Sequence, residues 1–391
     1  MKAISIKTKL VLAIVAALAL VAIAVAAVVR GAAERNVRLV GAEAIRAAGG
    51  TFAAMQRADV EKLDATLSAL GANPAFAEAF AARDRERLLA LAAPVFAGLR
   101  AQHDITHWYF LDPAPARTCF LRVHKPEQHG DVVGRATLAQ AVETAGRGAG
   151  MELGQTAFAL RVVRPLSHAG AALGYVELGE EVDHFLGRMS AQTGDAYALV
   201  VEKRFLDRAA WAATREGRRD PWDDQPATVV VDATSDDPAL TAFQGDLSAV
   251  PEEGQLVDEL ERGGRTLARG LVPVRDAAGR RVGALFVLHD ITDVHATFMR
   301  ARTRVFAVIC AMALLLALVL VVLLQRLVFG RLGRMVSTME DLSARLAGGD
   351  YDVAAPPPGP PDEIGRFEDF FGRFLAVVGG QLKELTRRRT G

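Results

Sequence analysis

At 391 residues the chain is too long for one typical domain and divides into two or three. Its 46 basic and 46 acidic side chains cancel, which leaves no global charge to draw it to nucleic acid. Hydrophobic residues make up 51% because of two long apolar runs, and two cysteines, Cys119 and Cys310, the second inside an apolar run, exclude a disulfide scaffold and a Cys-rich zinc site.

The first apolar run occupies 10–29, after Lys2, Lys7 and Lys9. It exceeds the ~7–15 apolar residues of a secretory signal, so an uncleaved membrane anchor is predicted, with 1–9 cytoplasmic. Residues 31–70 contain no proline and carry Leu39, Ala42, Ile45, Phe52, Met55, Val60, Leu63, Leu67 and Leu70 at helical spacing. A long helix is predicted, ended by Gly71-Ala72-Asn73-Pro74, with shorter helices over 75–82 and 85–102.

The period then changes. Strands are predicted at 107–111 and 118–124 around an Asp112-Pro113-Ala114-Pro115 turn, then a helix near 137–144 and strands at 154–163 and 174–178. A second set follows at 196–201, 228–232, 255–260, 265–274 and 282–288, interrupted by a polar insertion over 204–224 read as helix and loop. A long helix followed by antiparallel sheet with short inserted helices makes the fold class α+β.

The second apolar run, 305–324, is twenty residues without a charge, enough to cross ~30 Å of hydrocarbon. Beyond it Val328, Leu332, Met335, Met339, Leu342 and Leu346 recur in steps of four and three, the seam of a coiled coil. A break at Gly348-Gly349-Asp350-Tyr351 and a Pro-rich connector, AAPPPGPP over 354–361, precede a second seam of Phe367, Phe371, Phe374, Val378 and Leu385. The basic residues Arg387, Arg388 and Arg389 read as a solvated tail near an anionic leaflet.

The turn Leu346-Ala347-Gly348-Gly349-Asp350-Tyr351 and the helix opening Asp362-Glu363-Ile364-Gly365, at this spacing after a membrane helix, resemble a HAMP domain of bacterial sensor kinases and chemoreceptors. The proline usual at the start of its first helix is missing from Arg326-Leu327-Val328-Phe329-Gly330. An ordinary helical hairpin is the alternative. The resemblance implies a signal relay through Gly349, Asp350, Asp362, Glu363, Ile364 and Gly365, built as a homodimeric parallel four-helix bundle in the cytoplasm. Loop charges do not decide orientation, because arginines flank both runs on the inner side of the loop; the relay places both termini in the cytoplasm of a bacterial inner membrane. The layout is then 1–9 N-terminus, 10–29 first span, 30–304 outer region, 305–324 second span, 325–386 relay and 387–391 tail.

In the outer region, Ile105-Thr106-His107-Trp108-Tyr109-Phe110, Cys119-Phe120-Leu121-Arg122-Val123-His124-Lys125-Pro126 and Gly130-Asp131 resemble the double-Cache sensor family. So do Leu160-Arg161-Val162-Val163-Arg164-Pro165 and Gly174-Tyr175-Val176-Glu177-Leu178-Gly179. The resemblance implies two stacked PAS-like modules, here a helical lead 30–104, a membrane-distal module 105–190 and a membrane-proximal module 191–295. It also implies a small ligand in the distal module.

Strand alternation sorts the candidate residues. Leu121 and Val123 share one face, suited to the long helix, and Phe120, Arg122 and His124 the other; Tyr175 and Glu177 oppose Val176 and Leu178. Arg161, mid-strand among apolar neighbours, needs a partner. An anionic metabolite held by Arg122, His124 and Arg161, walled by Trp108 or Tyr109, is one reading. The other is that Arg122 pairs with Asp131 or Glu177 and only fixes a loop. The constellation by which amino-acid-binding relatives are known is not recognisable, so that ligand class does not carry over. His103, His107, His124, His129 and Asp131 suggest a metal, but a helix end and a strand do not give them one shared face, and no metal or cofactor is expected. No hydrolase elbow, P-loop or nucleotide signature occurs, so no enzyme is expected.

The sequence thus predicts a two-span sensor whose outer domain binds a small ligand and whose relay informs a separate cytoplasmic kinase or chemotaxis-type effector, since only six residues follow Leu385. The alternatives are a membrane-anchored scaffold whose outer domain binds a protein, and a fragment of a longer receptor.

Overall fold

The computed structural model describes residues 6–154, 157–213, 215, 219–348, 350 and 361–390. Lys2, Gly349, Tyr351 and 354–360 of the connector lie outside the described residues. The chain divides into two compact units, Glu34–Phe298 and the pair Met1–Ala33 with Met299–Gly391.

The helix α1 (Ile6–Gly71) carries the larger unit's inward stripe, with Ile45, Ala48, Phe52, Leu63 and Leu67 buried in the main core. Leu39, expected on that stripe, is exposed, and Val37 is buried instead against Ala268 and Ile291. Six residues from Ile45 is about 1.7 turns, which rotates Leu39 off the stripe. Asn73 caps α2 (Pro74–Ala81) by accepting from the Ala75 N–H at 3.1 Å, and Asp84 caps α3 (Arg85–His103) by accepting from Arg87 at 2.9 Å.

Two antiparallel five-stranded sheets follow. The first contains β1 (His107–Leu111), β2 (Cys119–Arg122), β3 (Gly148–Gly154), β4 (Ala157–His168) and β5 (Ala171–Glu181), ordered β2-β1-β5-β4-β3. The second contains β6 (Ala196–Glu202), β7 (Thr228–Ala233), β8 (Gln255–Arg262), β9 (Arg265–Arg275) and β10 (Arg281–Asp290), ordered β7-β6-β10-β9-β8. The same order recurs, so the two modules are one fold used twice. Helices α4 (Ala136–Thr144), α5 (Asp183–Thr193) and α6 (Arg208–Ala213) complete the unit.

Two elements escape the sequence reading. β3, rich in glycine, pairs with β4 from Gly148↔Val163 onward, where a single strand over 154–163 is predicted. A Cβ at Gly148 would lie 1.8 Å from the Thr137 carbonyl oxygen, so α4 and β3 approach too closely for any side chain. The amphipathic α5 joins the modules, burying Phe185, Leu186 and Met189. One core runs through both modules, from Phe76, Trp108 and Phe110 to Tyr197, Leu199 and Leu285.

In the other unit, α7 (Thr292–Leu324) passes through a π-helical turn at Gln325–Phe329 into α8 (Gly330–Ala347), so the missing proline leaves the helix unbroken. Arg331 joins α8 to α9 (Glu363–Thr390) through Asp362 Oδ2 at 2.5 Å and Glu368 Oε2 at 2.8 Å. Asp362 caps α9 by accepting from the Gly365 N–H at 2.7 Å; Gly365 is buried, Ile364 half-buried and Glu363 exposed. Asp350 pairs with Arg345 at 2.7 Å. Among the described residues of the two helices Met335 and Leu375 are buried apolar side chains, while Leu332, Met339, Phe367, Phe374 and Leu385 of the predicted seams are exposed on the single chain. Two helices among the described residues are long and apolar enough to cross a membrane, within Lys7–Gly71 and Thr292–Arg345, and their apolar windows are unburied.

Candidate ligand site

The first sheet has two unlike faces. Trp108 and Phe110 of β1 pack on Phe76 of α2, with Trp108–Phe76 ring centroids 5.5 Å apart in an edge-to-face pair. Tyr109, one residue on, points the other way. Its cross-strand partners are Arg122 and Glu177, and Glu177 in turn pairs with Val163, two residues from Arg161 on the same face. Tyr109, Arg122, Arg161 and Glu177 therefore meet on one side of the sheet, as alternation requires.

Three predicted placements are corrected. Trp108 is not a wall of this site, being fully buried under α2 on the helix side. Phe120 also turns to the helices, 5.2 Å from Phe80, because the β1–β2 register shifts next to it and breaks the alternation. His124 lies beyond the end of β2 and is no cationic donor: its Nδ1 accepts from the Trp108 N–H at 3.3 Å. Burial, with Arg161 and Lys125 nearby, pushes its pKa down to about 4, so the ring is neutral. It stands edge-on to His107 and Tyr109, each at 4.8 Å.

The charges form one network. Arg161 Nη1 donates to Glu177 Oε1 at 2.5 Å, deep in the fold, which supplies the partner Arg161 needs. Arg135 Nη1 donates to the same oxygen, and its Nη2 to the Tyr109 hydroxyl at 3.2 Å. Burial opposes ionisation of Glu177, but the two guanidiniums outweigh it and hold its carboxyl below the usual range. Arg122 takes the loop-fixing pairing, donating to Asp131 Oδ2 at 2.6 Å and to the Gln128 carbonyl at 2.7 Å. The guanidiniums of Arg135, Arg122 and Arg161 lie 4.6, 5.5 and 5.5 Å from the centre of the Tyr109 ring. Three cations thus surround one ring, against two carboxylates. Glu177 Oε2 is buried and has no hydrogen-bond partner among the described residues.

Sequence reasoning missed Arg135. It precedes α4 in a segment without period, and its sole signal is an arginine next to a helix start. His107, set aside with the metal reading, lines the same face, its Nδ1 2.8 Å from Thr106 Oγ1 and its ring stacked parallel to Tyr109.

A cavity of about 1430 Å³ lies in the second module, floored by Val230, Phe243 and Phe286. Its buried cation, Arg269, is consumed by Asp258 at 2.6 and 2.9 Å and by the Ala239 carbonyl at 2.7 Å. Most buried side-chain atoms without a hydrogen-bond partner among the described residues, Glu177 Oε2 included, lie outside the second module.

Solved structures to which the chain is similar include the ligand-binding domain of the Campylobacter jejuni chemoreceptor Tlp3 in complex with 4-methylisoleucine. It is 9% identical, covers 67% of this chain and 94% of its own, and has a TM-score of 0.40. The sensor domain of the Vibrio cholerae histidine kinase DctB is 12% identical, covers 64% and 96%, and has a TM-score of 0.39. The periplasmic domain of V. cholerae LuxQ is 11% identical, covers 65% and 99%, and has a TM-score of 0.33. No curated protein matches the chain. The family described as the double sensory domain of two-component sensor kinases, dCache_3, matches residues 43–295, and the chain belongs to it.

Proposed function

We propose that the chain is a transmembrane sensor whose first module binds a small anionic metabolite from outside the cytoplasm. The observation that carries this reading is the set of Arg122, Arg135 and Arg161 around Tyr109, together with the unpartnered Glu177 Oε2. The excess of one positive charge selects an anion. Arg135 and Arg122, the less deeply buried of the three, hold its carboxylate or phosphate, Tyr109 and the neutral His107 and His124 flank its body, and Glu177 Oε2 accepts from a hydroxyl or amine. Arg161 stays with Glu177 as the foundation of the site.

The two apolar helices span the inner membrane in this reading, and the α8–α9 hairpin is the HAMP relay. The exposed Phe367, Phe374 and Leu385 support a homodimer, since a second copy would cover them in a four-helix bundle. Ligand binding shifts the population of two packings of that bundle, read by a separate cytoplasmic kinase or chemotaxis-type effector.

The test is a thermal-shift screen of the full chain in detergent against carboxylates and phosphates. A true ligand at a hundred times its dissociation constant adds about 2.7 kcal/mol of stability. The shift is expected to vanish in Arg135→Ala. A hit that persists in that variant, or no hit across both classes, overturns the reading.

A further inference from the structure

A second cluster lies where α1, the end of β5 and the start of α5 meet. Asp59, Glu180 and His184 each bring one ligand atom to within 4.8 Å of the others. Each of the three also has a buried atom, Asp59 Oδ2, Glu180 Oε1 and His184 Nε2, with no hydrogen-bond partner among the described residues. Glu180 is fully buried, and three unpartnered buried polar atoms on neighbouring side chains are an arrangement that a protein interior avoids unless something binds there. The His184 Nε2 to Asp59 Oδ2 distance is 3.6 Å, too long for a hydrogen bond but close to the ~3.4 Å edge of a tetrahedron with ~2.1 Å bonds.

We infer that Asp59, Glu180 and His184 form a binding site for one divalent transition-metal ion, zinc being the best fit, with water as fourth ligand. One imidazole and two carboxylates suit zinc better than calcium or magnesium, which take oxygen ligands. Lys62 strengthens the choice. Its ammonium holds the other oxygens, Glu180 Oε2 at 2.6 Å and Asp59 Oδ1 at 3.2 Å, so each carboxylate has one oxygen left and coordination stays low. The Nδ1 side of His184 faces Asp183 Oδ1 at 3.8 Å, the side from which a carboxylate orients a metal-bound imidazole. Arg188 reaches Asp59 Oδ2 only at 3.8 Å, is half exposed and is shared with Asp104, so it screens the site from outside without filling it. A bound ion would pin the helix between the modules to the long helix α1, a place where occupancy can stiffen the path between them.

The experiment strips the full chain in detergent with a chelator and titrates it with Co²⁺ alone, then with Zn²⁺. One equivalent of Co²⁺ with visible d–d absorption bands is expected, displaced by Zn²⁺, and Zn²⁺ is expected to raise the melting temperature. Asp183→Asn should weaken binding about tenfold, and His184→Ala beyond the ~100-fold reached by outer-shell changes, while His129→Ala leaves it unchanged. If His184→Ala fails to fold, as judged by circular dichroism, Glu180→Gln carries the same test with nearly the same shape. No cobalt bands in the parent chain, or bands that survive loss of a ligand, overturn the assignment.

Discussion

Arg161 and Glu177 form an ion pair at 2.5 Å with the carboxylate fully buried and the arginine nearly so. Such a pair contributes little net stability, but removing one partner strands the other charge. Glu177→Gln is therefore expected to destabilise the fold by about 3–5 kcal/mol in thermal or denaturant unfolding, and Arg161→Met added to it should recover much of that loss. A loss below ~1 kcal/mol in the single variant would show that Arg161 reaches water and that the pair is not dry.

Strand alternation alone puts Glu177 and Tyr175 opposite Val176 and Leu178, and the structure agrees because β5 is regular over that stretch. It fails at Phe120, where a register shift intervenes, and it cannot choose between Trp108 and Tyr109, which must face opposite ways. The metal-type cluster was beyond reach for another reason. Asp59 and Glu180 come together only through tertiary packing, and neither sits in a short motif. The second sheet is the part most plainly written in the sequence, since all five of its strands are predicted as runs, against four of five in the first. β3 is lost from view because its glycines serve close packing and carry no alternating pattern.

Asp64 on α1 holds Arg164 of β4 through two bonds, Nε to Oδ1 at 2.5 Å and Nη2 to Oδ2 at 2.7 Å. The Arg164 guanidinium is the main cause of a carboxyl pKa below the usual 3.8. A carboxyl depressed in the folded state contributes stability that is fully present above the unfolded value and is lost as pH falls through the folded one. Arg164 is 40% exposed, so solvent screening keeps the effect modest. Asp64→Asn is expected to lower the melting temperature at neutral pH and to flatten its fall below about pH 4. An unchanged acid slope in the variant would remove Asp64 from the account.

His289, at the end of β10, places Nδ1 2.8 Å from Asp195 Oδ1 just before β6, and that bond raises the imidazole pKa above 6.5 against the pull of burial. Here the sign is reversed. A group raised in the folded state contributes fully below the unfolded value and loses its contribution as pH rises through the folded one. The melting temperature should therefore carry a downward component above pH 6.5 that His289→Asn abolishes. A slope identical in parent and variant would assign it to another group.

Gly49 and Gly50 are neighbours on α1 with opposite expectations. A Cβ on Gly49 would stand 2.9 Å from Val272 Cγ1 and 3.0 Å from Cγ2, and a β-branched side chain on β9 has no free end to swing away. A Cβ on Gly50 meets nothing within 4 Å. Alanine at either position gains helix propensity worth about 1 kcal/mol, since glycine loses more backbone freedom on folding. At Gly50 nothing opposes that gain, so Gly50→Ala should stabilise by about 0.5–1 kcal/mol. At Gly49 overpacking of about 1–3 kcal/mol outweighs it, so Gly49→Ala should destabilise. Equal shifts from the two substitutions would mean that α1 does not press on β9 at this point, and the long helix would lose its contact with the second sheet there.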